Sequence, residues 1–167
     1  MHGKINIGLV GLAGSGKDTS ADFLCSDHAY SRASFAAPLK EICYNLGWDL
    51  KKDERGRKLL QDVGMAFRSY DDLTWVKYMA KTLNPSIKYV FTDVRFENEA
   101  EFIRNNGGII IRIVRPELAL QNMHLHVSES GQASITADHT IVNDSNLENL
   151  HKQLTKIVES YDKSKVY

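Results

Sequence analysis

The sequence predicts an α/β fold, a parallel sheet of about five strands flanked by helices. Three observations carry this expectation. Short apolar runs alternate with segments of helical period, and a glycine-rich turn separates the first run from the first helix. The third is Ile109–Val114, almost continuously β-branched, as befits a strand buried on both faces. With 167 residues, 43% hydrophobic and 25% charged, the chain is long enough to bury a core without disulfides, so one domain over residues 1–167 is expected.

Taken in order, Ile5–Val10 reads as a buried strand, followed by the glycine turn and a helix over Lys17–Ser26. Tyr30–Phe35 is a second strand, and Pro38 fits the first turn of a helix reaching Asn45. After the polar stretch Asp49–Arg57, Leu59, Leu60, Val63 and Phe67 recur at helical spacing. Trp75, Val76 and Met79 open a further helix that ends at Asn84-Pro85. Lys88–Thr92 is a third strand, Glu97–Asn105 a helix closed by Gly107-Gly108, and Ile109–Val114 a fourth strand. Pro116–Asp138 shows no sustained period and reads as a mobile lid, before a short edge strand at His139–Val142 and a closing amphipathic helix over Leu147–Tyr161.

Charge and cysteine content narrow the function. The 21 basic and 21 acidic residues cancel, which disfavours a general nucleic-acid or anionic-membrane binder. Cys25 and Cys43 lack Cys-x-x-Cys spacing and read as reduced, buried thiols. Met1–Lys4 leads straight into an apolar strand, with no signal peptide, and no apolar run is long enough to span a bilayer. A cytoplasmic protein is expected.

The segment GLAGSGK, Gly11–Lys17, has the spacing of a phosphate-binding loop and sits between a strand and a helix, where that mechanism requires it. Gly11, Gly14 and Gly16 let the backbone wrap so that successive N–H groups, including that of Ser15, point at a phosphate. The helix dipole adds to this, and Lys17 brings a positive charge to the β- and γ-oxygens. Asp18 stands where most such loops place a Mg²⁺-binding hydroxyl, and the hydroxyl comes one residue later at Thr19. Asp18 therefore reads either as a metal ligand, direct or through water, or as an acid stabilising the first helical turn. The loop resembles those of nucleoside monophosphate kinases, often Gly-Lys-Gly-Thr, which also lack a hydroxyl directly after the lysine.

A second signal is TDVRFENE. The strand before it would deliver Asp93 to the carboxyl edge of the sheet, where ligands of such folds bind. Asp93 is a candidate for Mg²⁺ or its waters, with a helix cap as the alternative. Arg95 lies close to the same edge and suits bidentate phosphate binding. Arg115, at the start of the lid, is placed to swing onto a transferring phosphate, whereas Arg112 sits inside a strand and needs a partner. His124 and His126, near Ser128 and Glu129, have no evident third ligand for a metal.

Several stretches together resemble the bacteriophage-type deoxynucleoside monophosphate kinase family: GSGKDT, SFAAPLKEI, LLQDVG with Arg68 and TWV after it, TDVRFENEAEFIRNNGGIIIRIVRP, HVSE and DHTIVND, in that order over almost the whole chain. The resemblance implies an adenylate-kinase-like P-loop fold that moves the γ-phosphoryl group of ATP onto a deoxynucleoside monophosphate, with Mg²⁺. It implies that Gly14–Thr19 hold ATP, that Arg68 and Arg95 face the acceptor with Gln61 near its base, and that Arg115 and His126–Glu129 belong to the closing region. Phe35 and Trp75, with Phe67 and Tyr70, are candidates for an apolar wall against the sugar. Met65-Ala66 and Ala13 depart from the family pattern. The catalytic set expected is Lys17, Asp93, Arg95 and Arg115. A homodimer is left open, and the compartment would be the host cytoplasm for a phage-borne gene. The alternatives are a P-loop kinase for another phosphorylated acceptor, phosphomevalonate-like, and a non-catalytic nucleotide switch.

Overall fold

A computed structural model of the chain describes residues 5–121, 132 and 134–163. In chain order the elements are β1 (Ile7–Val10), α1 (Lys17–Asp27), β2 (Ser31–Ala33), α2 (Ala37–Asn45), α3 (Glu54–Tyr70), α4 (Thr74–Thr82), β3 (Tyr89–Phe91), α5 (Glu97–Asn105), β4 (Ile109–Val114), α6 (Pro116–Gln121), β5 (His139–Val142) and α7 (Leu147–Lys163). The described residues form two compact units, one from the segments up to Ala33 and from Pro85 onward, the other from Ser34–Asn84.

The first unit contains the sheet, ordered β2-β3-β1-β4-β5 and parallel at every pairing. β1 is central because every one of its residues is apolar or glycine, and all four are buried. Ile7, Leu9, Ile109, Ile111, Ile113 and Ile141 form one apolar cluster with Leu24 of α1 and Leu150, Leu154 and Val158 of α7. The α7 positions recur every four residues, so one stripe of that helix faces the sheet. Burial of each such side chain contributes about 1.5–3 kcal/mol. On the opposite face, a Cβ at Gly8 would lie 2.6 Å from Ile110 Cδ1 and 2.8 Å from Ile103 Cδ1 of α5. Glycine there is what lets α5 approach β1.

The sheet edge also fixes the segment before β5. Arg112 Nη2 donates to the carbonyls of Gln132 (3.1 Å) and Ile135 (2.5 Å), and Arg104 of α5 donates to the Thr136 carbonyl. Asp138 Oδ2 accepts from Ile110 N–H at 2.7 Å. The charge inside β4 thus has its partner in backbone carbonyls.

The second unit is a set of three helices. Asp53 caps α3 by accepting from Gly56 N–H at 2.8 Å. A Cβ at Gly56 would fall 1.9 Å from the Lys51 carbonyl oxygen, the same oxygen that accepts from Trp48 Nε1 at 3.1 Å. Between α3 and α4, Asp71 Oδ1 accepts from Leu73 N–H at 3.0 Å and Oδ2 meets Lys77 Nζ at 2.5 Å.

Two expectations are corrected. The polar stretch before Leu59 is already helical from Glu54, because the Asp53 cap satisfies the first turn and its polar side chains face water. The stretch read as irregular from Pro116 begins with α6, in which Pro116 takes the first helical position, where a missing N–H costs nothing. The first three strands are also shorter than expected: β1 lacks Ile5 and Asn6, β2 stops two residues before Phe35, and β3 lacks Lys88 and Thr92. His124 and the His126–Glu129 stretch lie outside the described residues.

Candidate active site

The glycine loop leaves the carboxyl end of central β1, with β3 and β4 on either side, at the position where strand order reverses. Three of its residues have left-handed φ: Gly11 (148°), Gly14 (78°) and Gly16 (110°). A Cβ at Gly11 would meet the Ile113 carbonyl oxygen at 2.3 Å, and one at Gly16 would meet Asn143 Nδ2 at 2.6 Å. The spacing seen in the sequence is therefore demanded twice, by backbone conformation and by close approach. Ser15 is only 1% exposed, and its Oγ is buried with no hydrogen-bond partner. An orphaned hydroxyl inside a loop of this shape suits an anion oxygen as its acceptor.

Lys17 opens α1 and folds back over the loop, its Nζ donating to the carbonyls of Gly11 (2.5 Å) and Leu12 (2.8 Å). Ser20 Oγ donates to the Gly16 carbonyl at 2.8 Å, and Thr19 is exposed on the same first turn. Asp18 is held by Arg32 of β2: Nη1 lies 3.2 Å from Asp18 Oδ1, and Nη2 donates to the Asp18 carbonyl and to Asp22 Oδ1, both at 2.9 Å. The acidic residue after the lysine thus has a cationic partner on the neighbouring strand.

Asp93 and Arg95 follow β3 at the same sheet edge. The turn that carries them is tied by Glu99, a buried carboxylate whose Oε2 accepts from the N–H groups of Arg95 (2.8 Å) and Phe96 (3.2 Å). The Arg95 side chain is exposed. Arg115, immediately after β4, is half-exposed with Nε 3.8 Å from Glu117 Oε2.

The other expected acceptor residues all lie in the second unit. Arg68 Nη1 donates to the Asp72 carbonyl at 3.3 Å, and Gln61 is exposed on α3. Phe35 and Trp75 are buried, while Phe67 is 40% and Tyr70 91% exposed. Phe67 meets Trp75 edge-on, with ring centroids 5.4 Å apart. Burial pushes the Cys25 and Cys43 thiols up, Cys25 against the opposing pull of Arg32. Both remain protonated near neutrality, which is unsuited to nucleophilic work.

Three residues in this geometry went unassigned from the sequence: Arg32, Glu99 and Asn143. Glu99 alone left a local trace, an acid at the third position of a helix.

A parallel sheet with this loop at its centre defines the class of P-loop α/β proteins, and solved structures agree on that fold. Shikimate kinase from Aquifex aeolicus aligns with a TM-score of 0.54 at 16% identity, covering 93% of this chain and 97% of that one. TT1252 from Thermus thermophilus aligns at 0.56 and 18% identity, covering 93% and 97%. At such identities the likeness concerns the fold. A profile of deoxynucleotide monophosphate kinases matches residues 51–154. A protein of Acanthamoeba polyphaga mimivirus assigned to that activity is 34% identical over 189 aligned positions, covering 92% of this chain and 96% of that protein. The deoxynucleotide monophosphate kinase of Enterobacteria phage T4 is 29% identical over 105 positions, 59% of this chain and 43% of that one. The chain belongs to the deoxynucleotide monophosphate kinase family and is a phosphotransferase. No helix among the described residues is long and apolar enough to cross a membrane.

Proposed function

We propose that this enzyme moves the γ-phosphoryl group of ATP onto a deoxynucleoside monophosphate, with donor phosphates held by Gly11, Gly14–Lys17 and Thr19. The observation that carries the donor side is the loop itself: three left-handed glycines around a buried, unpartnered Ser15 hydroxyl. On donor binding, Lys17 exchanges its two carbonyl partners for phosphate oxygens. Catalysis is then electrostatic positioning, because phosphoryl transfer leaves little covalent work for side chains. The acceptor's second ionisation lies near pH 6, about where phosphate esters titrate, so its attacking oxygen is mostly anionic at neutral pH and needs no general base. What it needs is cationic cover against repulsion between two anionic substrates. Arg68 and Arg95 serve the acceptor phosphate, and Arg115 the transferring group.

Mg²⁺ would arrive with ATP and neutralise charge on its phosphate oxygens. Among the described residues no group of three or more His, Cys, Asp or Glu side chains is arranged to hold a metal, and a Mg²⁺ ligated mainly by phosphates and water requires no such group. Asp93 is the carboxylate we assign to its waters. Asp18, paired with Arg32, orients that arginine and acts on the metal only at a distance. On the acceptor side, Gln61 lies near the base, and Phe35 and Trp75 support the wall that Phe67 and Tyr70 present to the sugar. An apolar wall excludes an added hydroxyl by roughly 10²-fold, so matched ribonucleotides should react poorly but measurably.

The test is one product assay: ATP with each deoxy- and ribonucleoside monophosphate, reading diphosphate formed. Transfer to at least one deoxynucleotide, with its ribose counterpart slower, is expected. Slow ATP hydrolysis with no diphosphate from any acceptor would overturn the proposal.

A further inference from the structure

Asn143 follows β5 directly, and its side chain reaches the phosphate loop. Its Nδ2 donates to the Ser15 carbonyl at 2.9 Å, a contact 128 positions apart in sequence. Its own N–H donates to the Val114 carbonyl at 2.7 Å, which anchors the residue to the end of β4. The carboxamide also occupies the space a Cβ at Gly16 would need.

The consequence follows from the planarity of one peptide. In a trans unit the carbonyl of one residue and the N–H of the next point in opposite directions. With the Ser15 carbonyl drawn toward Asn143, the Gly16 N–H is turned away from it. Among the described residues no group accepts a hydrogen bond from that N–H. It is thus a donor held ready for an oxygen that the protein does not supply. Without the tether, a peptide flanked by glycine is free to rotate and lose this orientation.

We propose that Asn143 is a positioning residue for the phosphoryl donor, holding the Ser15–Gly16 peptide so that the Gly16 N–H faces the donor phosphates. The inference rests on the assignment of the loop to ATP. It separates Asn143 from a merely structural link, because its loss should weaken donor binding specifically.

Parent, Asn143→Asp and Asn143→Ala are compared by thermal melting, by kinetics with ATP and monophosphate varied separately, and by direct equilibrium titration with ATP. Asn143→Asp keeps the shape but sets a carboxylate oxygen against the Ser15 carbonyl, and Asn143→Ala removes the donor without adding charge. At a temperature where the variants are folded, KM and Kd for ATP should rise about tenfold or more in the aspartate variant, the scale of one charge-sensitive hydrogen bond. The alanine variant should show a smaller rise, and the acceptor KM should stay within about twofold. ATP constants within about twofold of the parent in a folded variant, whatever the melting shift, would overturn the proposal, as would an equal rise in both KM values. If the aspartate variant does not fold, the alanine variant decides. A parent that binds ATP but forms no diphosphate would sink the transfer reading instead, and the ATP titrations would still decide Asn143.

Discussion

Lys17 is the residue on which turnover should depend most. Its ammonium rests on two loop carbonyls, so in ATP binding it changes one set of oxygens for another, whereas charge spreading over the γ-phosphoryl in the transition state has no such substitute. Lys17→Met should therefore keep the fold and lower kcat by about 10²-fold or more, with a smaller effect on ATP affinity. An unchanged kcat in a folded variant would refute the role. Gly11 makes a complementary prediction about stability. Gly11→Ala places a methyl 2.3 Å from the Ile113 carbonyl oxygen at a φ of 148°, so urea unfolding should show a loss of about 1–3 kcal/mol, and a wild-type midpoint would refute it. Both residues were legible because the phosphate loop is written in adjacent positions. Asn143 and Arg32 were not, since their meaning lies in partners that only the fold brings near: Ser15 for one, Asp18 and Asp22 for the other. Glu99 was obscured for a different reason. It ties back a helix start whose cap position is Phe96, a residue type that gives no capping signal.

At the scale of elements, the junction between α3 and α4 carries a pH dependence. The Lys77 ammonium and then the Leu73 N–H hold the Asp71 carboxyl below the ordinary aspartate value. A folded-state pKa below the unfolded one adds stability that is fully present above the unfolded value, about 3.9, and is lost as pH falls through the folded one. The melting temperature of Asp71→Asn should thus lie below the parent's at pH 7, and the two should converge as pH drops below about 4. A constant gap would show that Asp71 acts through shape alone. α5 and β4 were legible residue for residue because Gly107-Gly108 ends one and a β-branched run interrupted only by Arg112 defines the other. The start of α3 was not, because its first turn, Glu54–Arg57, is polar and exposed apart from Gly56, and an apolar period cannot report a turn that buries no side chain. α6 escaped for another reason: at six residues it is too short to show an apolar period.

For the whole molecule, the assigned donor and acceptor residues divide between the two compact units, apart from Arg95, which lies in the unit of the sheet. Each substrate should accordingly slow amide hydrogen exchange in its own unit. ATP should protect the loop and the first turn of α1, and the deoxynucleoside monophosphate should protect α3. A ligand at 100 times its Kd adds about 2.7 kcal/mol to the state that binds it, ample for detection. Protection by both ligands confined to the sheet unit would refute the acceptor assignment of Arg68 and Gln61. The sheet has a consequence of another kind. Its two borders are β2, three residues long with Arg32 fastened between two aspartates, and β5, four residues long. Borders this short, one of them carrying a charged arginine, offer few unpaired backbone groups to a foreign strand. Along these two borders the chain offers little template for edge-to-edge stacking and fibre growth at high concentration.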